Sequence, residues 1–323
     1  MGFLHEGEWR LEGEWRTDSA PAGGGEFVRP ASQFRQWIRR DTQSEFAAAP
    51  GRYHLYVSRA CPWCHRTMIG RVLKQLENVI SIGYVEPAML ENGWSFAQPD
   101  AITGARYVHE VYVLADPLYC GRATLPVLWD KQTHTIVNNE SAEIFRIFNR
   151  EFDDITDDLS DYYPPALAAE IDEINERLYA TVNDGVYRAG FATTQAAYQG
   201  AVERLFESLA WLEQRLQQQR YLLGELLTEA DWRLFATLVR FDAVYYAHFK
   251  CNLRHVYEYP ALWAYTCELY QMPGIAQTVA LDEYKAHYYG SHRNLNPTGI
   301  IPVGPRLDFT CAHGRGAAPQ AHL

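Results

Sequence analysis

The stretch Arg59-Ala60-Cys61-Pro62-Trp63-Cys64-His65-Arg66 decides the fold. Before it, Tyr53 to Ser58 reads as a short aromatic and β-branched strand; after it, Thr67 to Leu76 carries helix formers broken only by Gly70. Cys61 is therefore predicted to stand where a strand turns into a helix. Pro62 suits the first helical position, because its missing N–H is not needed there and its φ is already helical. Cys61 then becomes the N-cap. Unpaired backbone N–H groups and the positive end of the helix dipole would face its sulfur and lower the thiol pKa, so that a nucleophilic thiolate exists near neutral pH. Cys64 follows one turn later.

Cys-x-x-Cys-His admits three readings. Two buried thiols packed as small core residues is the plainest. Covalent attachment of a c-type haem matches Cys61, Cys64 and His65 literally but requires export. A thioredoxin-like thiol site is the third, favoured by the strand before, the helix after and the proline inside.

Composition narrows the class. At 323 residues the chain can bury two cores, and 47% apolar with 21% charged residues is the balance of a folded protein. No apolar run approaches a membrane span, and the start, Met1 to Gly7, lacks the basic and apolar regions of a secretory signal. The expectation is a cytoplasmic protein without membrane contacts. A net charge of −11 argues against general nucleic-acid binding, which needs a basic surface. In a reducing compartment the six cysteines are read as thiols.

Residues 1 to 50 read as an irregular arm with a near-repeat, Gly7-Glu8-Trp9-Arg10 and Gly13-Glu14-Trp15-Arg16, whose tryptophans would pin it to the surface. Gly23-Gly24-Gly25 marks a flexible break. Residues 51–155 form the α/β domain. Val79 to Val85, Thr124 to Asp130 and Thr135 to Asn138 read as further strands, and Pro126 is a candidate cis-proline that leaves the Leu125 backbone open to a peptide ligand; an ordinary trans-proline at an edge is the alternative. Ser141 is the expected N-cap of the helix that follows, with N–H groups able to receive a carboxylate and Glu140 beside it able to take an ammonium. Residues 160–292 read as all-helical. Val202, Leu205, Phe206, Leu209, Leu212 and Leu216 form one apolar stripe, and Leu234, Leu238, Phe241 and Tyr245 another, started by a capping-box-like Thr228-Glu229-Ala230-Asp231. Helices are also expected over about Pro260 to Met272 and Ile275 to Tyr289. Residues 293–323 are a C-terminal extension, with Thr310 to Leu323 read as a mobile tail.

With these segments in place the chain resembles the glutathione transferases, and within them the glutathionyl-hydroquinone reductases of the xi class. The likeness runs from the arm around Trp15 to Pro302 and is carried jointly by Cys61-Pro62-Trp63 with His65-Arg66, Asn92 to Phe96, Leu125 to Leu128, Asn139-Glu140-Ser141, Gly185 to Ala192 and Asn296 to Gly299. It implies a thioredoxin-like α/β N-terminal domain followed by an all-α C-terminal domain. It further implies a catalytic Cys61, with glutathione as co-substrate held by Leu125, Glu140, Ser141, Trp94 and Arg122. A second pocket, made by the helical domain, would take an aromatic group against Tyr187, Tyr245 and Tyr288. Among 21 tyrosines any one is ordinarily a packing residue, but phenolic O–H groups are suitable donors for hydroquinone oxygens. The family pattern has Ala where this chain has Cys64, so a second thiol stands beside the nucleophile.

The expected activity is glutathione-dependent reduction of glutathionyl-hydroquinones through a Cys61–glutathione mixed disulfide, by a homodimer needing neither metal nor flavin. A glutaredoxin-like or dehydroascorbate-reductase-like thiol transferase and a non-enzymatic glutathione-fold binding protein are the alternatives. Cys61-Pro62 argues against the last.

Overall fold

The computed structural model describes residues 2–11 and 24–316. The chain opens with a tight hairpin of β1 (Phe3–His5) antiparallel to β2 (Glu8–Arg10), so the arm is not irregular throughout. Gly7 turns it at φ +75°, where a Cβ would also strike the carbonyl oxygen of Pro117. Trp9 does pin the hairpin, stacking on His109 at 4.3 Å. The second half of the near-repeat with Trp15, Gly23 of the glycine break, and 317–323 of the tail lie outside the described residues.

β3 (Tyr53–Val57) is buried at every position, as a strand covered on both faces requires. It leads through Cys61 into α1 (Pro62–Leu73), then β4 (Ser81–Tyr84), α2 (Val108–Ala115), β5 (Val127–Asp130), β6 (Thr135–Asn138), α3 (Ser141–Arg150) and the single turn α4 (Asp153–Thr156). The sheet order is β4-β3-β5-β6, with β3 parallel to β4 and antiparallel to β5, and β5 antiparallel to β6. The register sets Leu55 opposite Leu128. α2 has no counterpart in the sequence reading, and β5 begins after Pro126 instead of at Thr124. A proline cannot donate to a ladder, which explains the later start.

Helices follow: α5 (Ala168–Leu178), α6 (Gly185–Gly190), α7 (Gln195–Gln218), α8 (Glu229–Arg240), the short α9 (Tyr246–His248) and α10 (Pro260–Gln271). Widened π turns at Tyr179–Asn183 and Phe241–Tyr245 lead into α6 and α9. The expected capping box of α8 is present, with the Thr228 N–H donating to Asp231 Oδ2 at 2.8 Å. The stripe ending at Tyr245 therefore runs through α8 and into the π turn.

The chain divides into two compact units. One holds residues 2–11, 30–159 and 282–301 of the described chain; the other holds 24–29, 160–281 and 302–316. These limits differ from the boundaries drawn on the sequence. The helix expected from Ile275 is a 3-10 turn at Ala276–Thr278 followed by α11 (Leu281–Ser291), and nearly all of α11 packs with the thiol-bearing unit. There His287 Nδ1 donates to the Pro87 carbonyl (3.0 Å), and the Met89 N–H donates to Ser291 Oγ (2.9 Å). Helical periodicity shows that a segment is a helix, not which core it joins. Residues 310–316 of the supposed tail are partly or fully exposed, but Arg315 among them pairs with Glu268, and Phe309 just before them is buried.

The end of β5 is anchored by Arg52, whose Nε and Nη2 reach the fully buried Asp130 carboxylate at 3.0 and 2.5 Å. Burial alone would raise this carboxyl. The bonds from Arg52, the Gln132 N–H and the Thr133 hydroxyl outweigh it and hold Asp130 below the usual aspartate value. The pair thus stabilises the fold above pH about 4 and is lost as pH falls through the lowered folded value. Asp130→Ala should cost about 3 kcal/mol, because it leaves a mostly buried guanidinium without its partner. Urea denaturation at neutral pH reads this, and a midpoint equal to wild type would remove the anchor role.

Candidate thiol and aromatic sites

Cys61 is the N-cap of α1, with φ −73° and ψ 123°, and Pro62 is the first helical residue. A residue before proline is driven out of the helical region, which fixes the turn at this point. The Cys64 N–H donates to Cys61 Sγ at 3.4 Å, and the Cys61 thiol lies 3.7 Å from the Leu125 carbonyl oxygen. The Leu125–Pro126 peptide is cis. The Leu125 carbonyl is therefore engaged by a weak, long thiol contact, one that a peptide donor could displace. Cys61 is 9% exposed and Cys64 is fully buried. All six cysteines are thiols.

Glu140, and not Ser141, caps α3. Its Oε1 accepts the Ala142 N–H at 3.1 Å, while Ser141 is the first helical residue and is buried. Ser is the commoner cap, which is why the sequence reading falls one residue late. Glu140 Oε2 also accepts the Ser32 hydroxyl at 3.1 Å. Trp94 is buried and stacks on the His287 ring at 4.7 Å. Arg122 is half-buried on the loop that leads to Leu125.

The three tyrosines divide between the units. Tyr288 is on α11, in the unit that holds Cys61, contrary to the pocket expected of the helical domain alone. Tyr187 on α6 and Tyr245 at the end of the second π turn belong to the helical unit, with ring centroids 6.1 Å apart. Phe249 packs against both rings, at 5.3 and 5.6 Å.

Two residues escaped the sequence reading. Tyr112, on the unforeseen α2, is fully buried and donates its phenol to the Thr124 carbonyl (2.8 Å) while accepting from Asn139 Nδ2 (2.9 Å). One hydroxyl thereby holds the loop before Leu125 and the turn before Glu140. Arg29, in the arm, places its guanidinium over the Tyr187 ring at 4.8 Å and bonds Asp184 at 3.0 Å. Burial would lower its pKa, but Asp184 and then Tyr187 outweigh this and raise it. Neither carries a motif; each acts through a fold contact. Among the described residues, no cluster of three His, Cys, Asp or Glu could hold a metal ion, and no helix is long and apolar enough to cross a membrane.

Residues 60–151 match the family model of the glutathione S-transferase N-terminal domain, and residues 195–266 that of the C-terminal domain. Glutathionyl-hydroquinone reductase YqjG of Escherichia coli is 52% identical over 98% of each chain. PcpF of Sphingobium chlorophenolicum, also a glutathionyl-hydroquinone reductase, is 52% identical over 94% of this chain and 96% of its own. Among solved structures, glutathione-bound YqjG gives a TM-score of 0.88 at 49% identity, covering 97% of this chain and 99% of that one. A xi-class glutathione transferase from Natrialba magadii gives 0.90 at 45% identity, covering 98% and 96%.

The site geometry predicts unequal thiol reactivity. Iodoacetamide at neutral pH should label Cys61 at least about tenfold faster than the fully buried Cys64, because reaction needs both thiolate character and access. Peptide mapping of partially alkylated protein measures the ratio, and equal rates would sink the prediction.

Proposed function

The chain belongs to the glutathione transferase family, in its xi class of glutathionyl-hydroquinone reductases, and we propose that it reduces glutathionyl-hydroquinones with glutathione through Cys61. The observation that carries this reading is the Cys61 sulfur at the start of α1, accepting an amide N–H and facing the carbonyl beside a cis-proline. A thiolate is stabilised there by the helix N-terminus.

The Cys61 thiolate attacks the sulfur of the glutathionyl thioether. A sulfur–sulfur bond forms, the sulfur–aryl bond breaks, and its electron pair stays on the ring carbon, which takes a proton. The aryl carbon is reduced by two electrons, and the two sulfurs become a mixed disulfide. A second glutathione thiolate attacks the glutathione sulfur of that disulfide, releasing oxidised glutathione and the Cys61 thiolate. Electrons move between sulfur and carbon only, so the sequence calls on neither metal nor flavin.

In this proposal the Leu125 backbone pairs with the peptide, Trp94 and Arg122 line it, and Glu140 takes the γ-glutamyl ammonium. The N–H groups of the first turn of α3, from Ser141, take its carboxylate. Tyr187, Tyr245 and Tyr288 serve the hydroquinone oxygens and the proton delivered to the ring. Cys64 is a spectator: it is fully buried, and a buried thiol reacts slowly. Cytoplasmic location, where glutathione is abundant, and a homodimer complete the reading.

The assay supplies glutathionyl-menadiol with glutathione and follows hydroquinone release. Release at the uncatalysed rate, with normal activity on a small disulfide, would select a glutaredoxin-like enzyme instead. Cys61→Ser should drop turnover to background while still binding glutathione, and Cys64→Ala should keep most activity. Mass spectrometry after one substrate equivalent should find glutathione on Cys61; a Cys61–Cys64 disulfide as the main product would make this a two-cysteine reductase.

Phenol-to-phenyl changes at Tyr187, Tyr245 and Tyr288 should slow hydroquinone release without weakening glutathione affinity, by about 10²-fold for the phenol that delivers the proton. Parental rates in all three variants would return these residues to packing.

A further inference from the structure

A second pair of sulfurs lies wholly within the helical unit. Cys267 on α10 and Cys311 on the C-terminal segment have their Sγ atoms 3.5 Å apart. A disulfide is about 2.05 Å long, so closure needs an approach of about 1.5 Å, within reach of side-chain rotation and small backbone adjustment. The backbone on the Cys311 side is already anchored to α10. Gln271 Nε2 donates to the carbonyls of both Phe309 and Cys311 at 2.8 Å, and the buried Phe309 ring packs on Trp263 (5.2 Å) and Tyr270 (5.3 Å). On the far side of Cys311, Arg315 pairs with Glu268, which also takes Arg220 at 2.6 Å. Contacts on both sides of Cys311 therefore hold it opposite Cys267, and much of the ordering that a cross-link demands is present in the dithiol state.

The two thiols are not equivalent. Cys267 is buried, and burial, reinforced by its hydrogen bond with Cys311, pushes its thiol well up. Cys311 is partly exposed. An incoming disulfide is thus met by Cys311, and Cys267 is placed to act second.

We propose that Cys267 and Cys311 form an oxidisable thiol site that accepts small disulfides of the oxidised-glutathione class and closes into a disulfide fastening the C-terminal segment to α10. In the first step the Cys311 thiolate attacks one sulfur of oxidised glutathione. The Cys311–glutathione bond forms, the glutathione–glutathione bond breaks, and one glutathione thiolate leaves and takes a proton. Burial is the main cause that holds Cys267 protonated, and capping Cys311 removes the next, its hydrogen bond. Cys267 then attacks the Cys311 sulfur, forming the internal disulfide and expelling the second glutathione, whose thiolate takes the Cys267 proton. Two protein thiols are oxidised by two electrons, and one oxidised glutathione becomes two reduced ones. This pair is separate from the Cys61 site, and its chemistry stands whether or not the hydroquinone reading does.

The test treats the reduced full-length protein with oxidised glutathione, blocks remaining thiols by alkylation and maps the peptides. Wild type should yield a cross-linked Cys267–Cys311 peptide and a melting temperature raised by roughly 5 °C over the reduced form. Cys311→Ser should give neither. Cys267→Ser should accumulate glutathione on Cys311, since the second thiol is missing. Wild type in which both residues remain alkylatable, or in which a Cys311–glutathione adduct persists without closing, would overturn the proposal. A glutathione adduct on Cys61 in the same digest verifies that the oxidant was active.

Discussion

The thiol site depends on where the chain stops being extended and becomes helical. Pro62 denies its predecessor helical dihedrals and itself adopts them without strain, so the boundary falls between Cys61 and Pro62. The sulfur consequently sits at the first turn of α1, where the Cys64 N–H donates to it. β3 delivers the chain to this boundary from inside the sheet, with every residue buried. A thiol on a mobile loop would lack both the field of the helix end and a fixed direction.

The second helix start works by the same rule with opposite chemistry. At α3 the capping group is a carboxylate: Glu140 holds the Ala142 N–H with one oxygen and the Ser32 hydroxyl with the other. Its side chain is thereby held from two sides. Tyr112 links this turn to the cis-proline loop through a single buried oxygen. Three loops from distant parts of the sequence are held in register by polar contacts inside an apolar unit, where such contacts are costly to leave unmade.

Much of this was legible in the residues. Cys61 before Pro62, the Thr228–Asp231 box and the apolar stripes of α7 and α8 are local signals, and local chemistry formed the elements they announce. What escaped was non-local. The residues of α2, Val108–Ala115, are mostly apolar, with no charged face to mark a period. α11 reads as one more helix of the second half, yet its His287 and Ser291 bond to residues near Pro87. Arg29 and Tyr112 look ordinary until the fold brings Tyr187 and Asn139 to them. The Pro, Gly and Ala content that made the end of the chain look mobile says nothing of Phe309 and Arg315, which carry its packing.

Gly70 is the one glycine within α1, and a Cβ there would lie 3.0 Å from the Phe145 ring of α3. Helices that begin with the sulfur and with the carboxylate therefore approach across a missing methyl group. Adding that methyl would force the ring, which α3 carries, to give way by a few tenths of an ångström. In the proposed binding mode, the gap between the two helix starts sets the span available to a thiol ligand, from its sulfur to its amino end. In that mode the contact at Gly70 bears on the span from a position that touches neither end of the ligand.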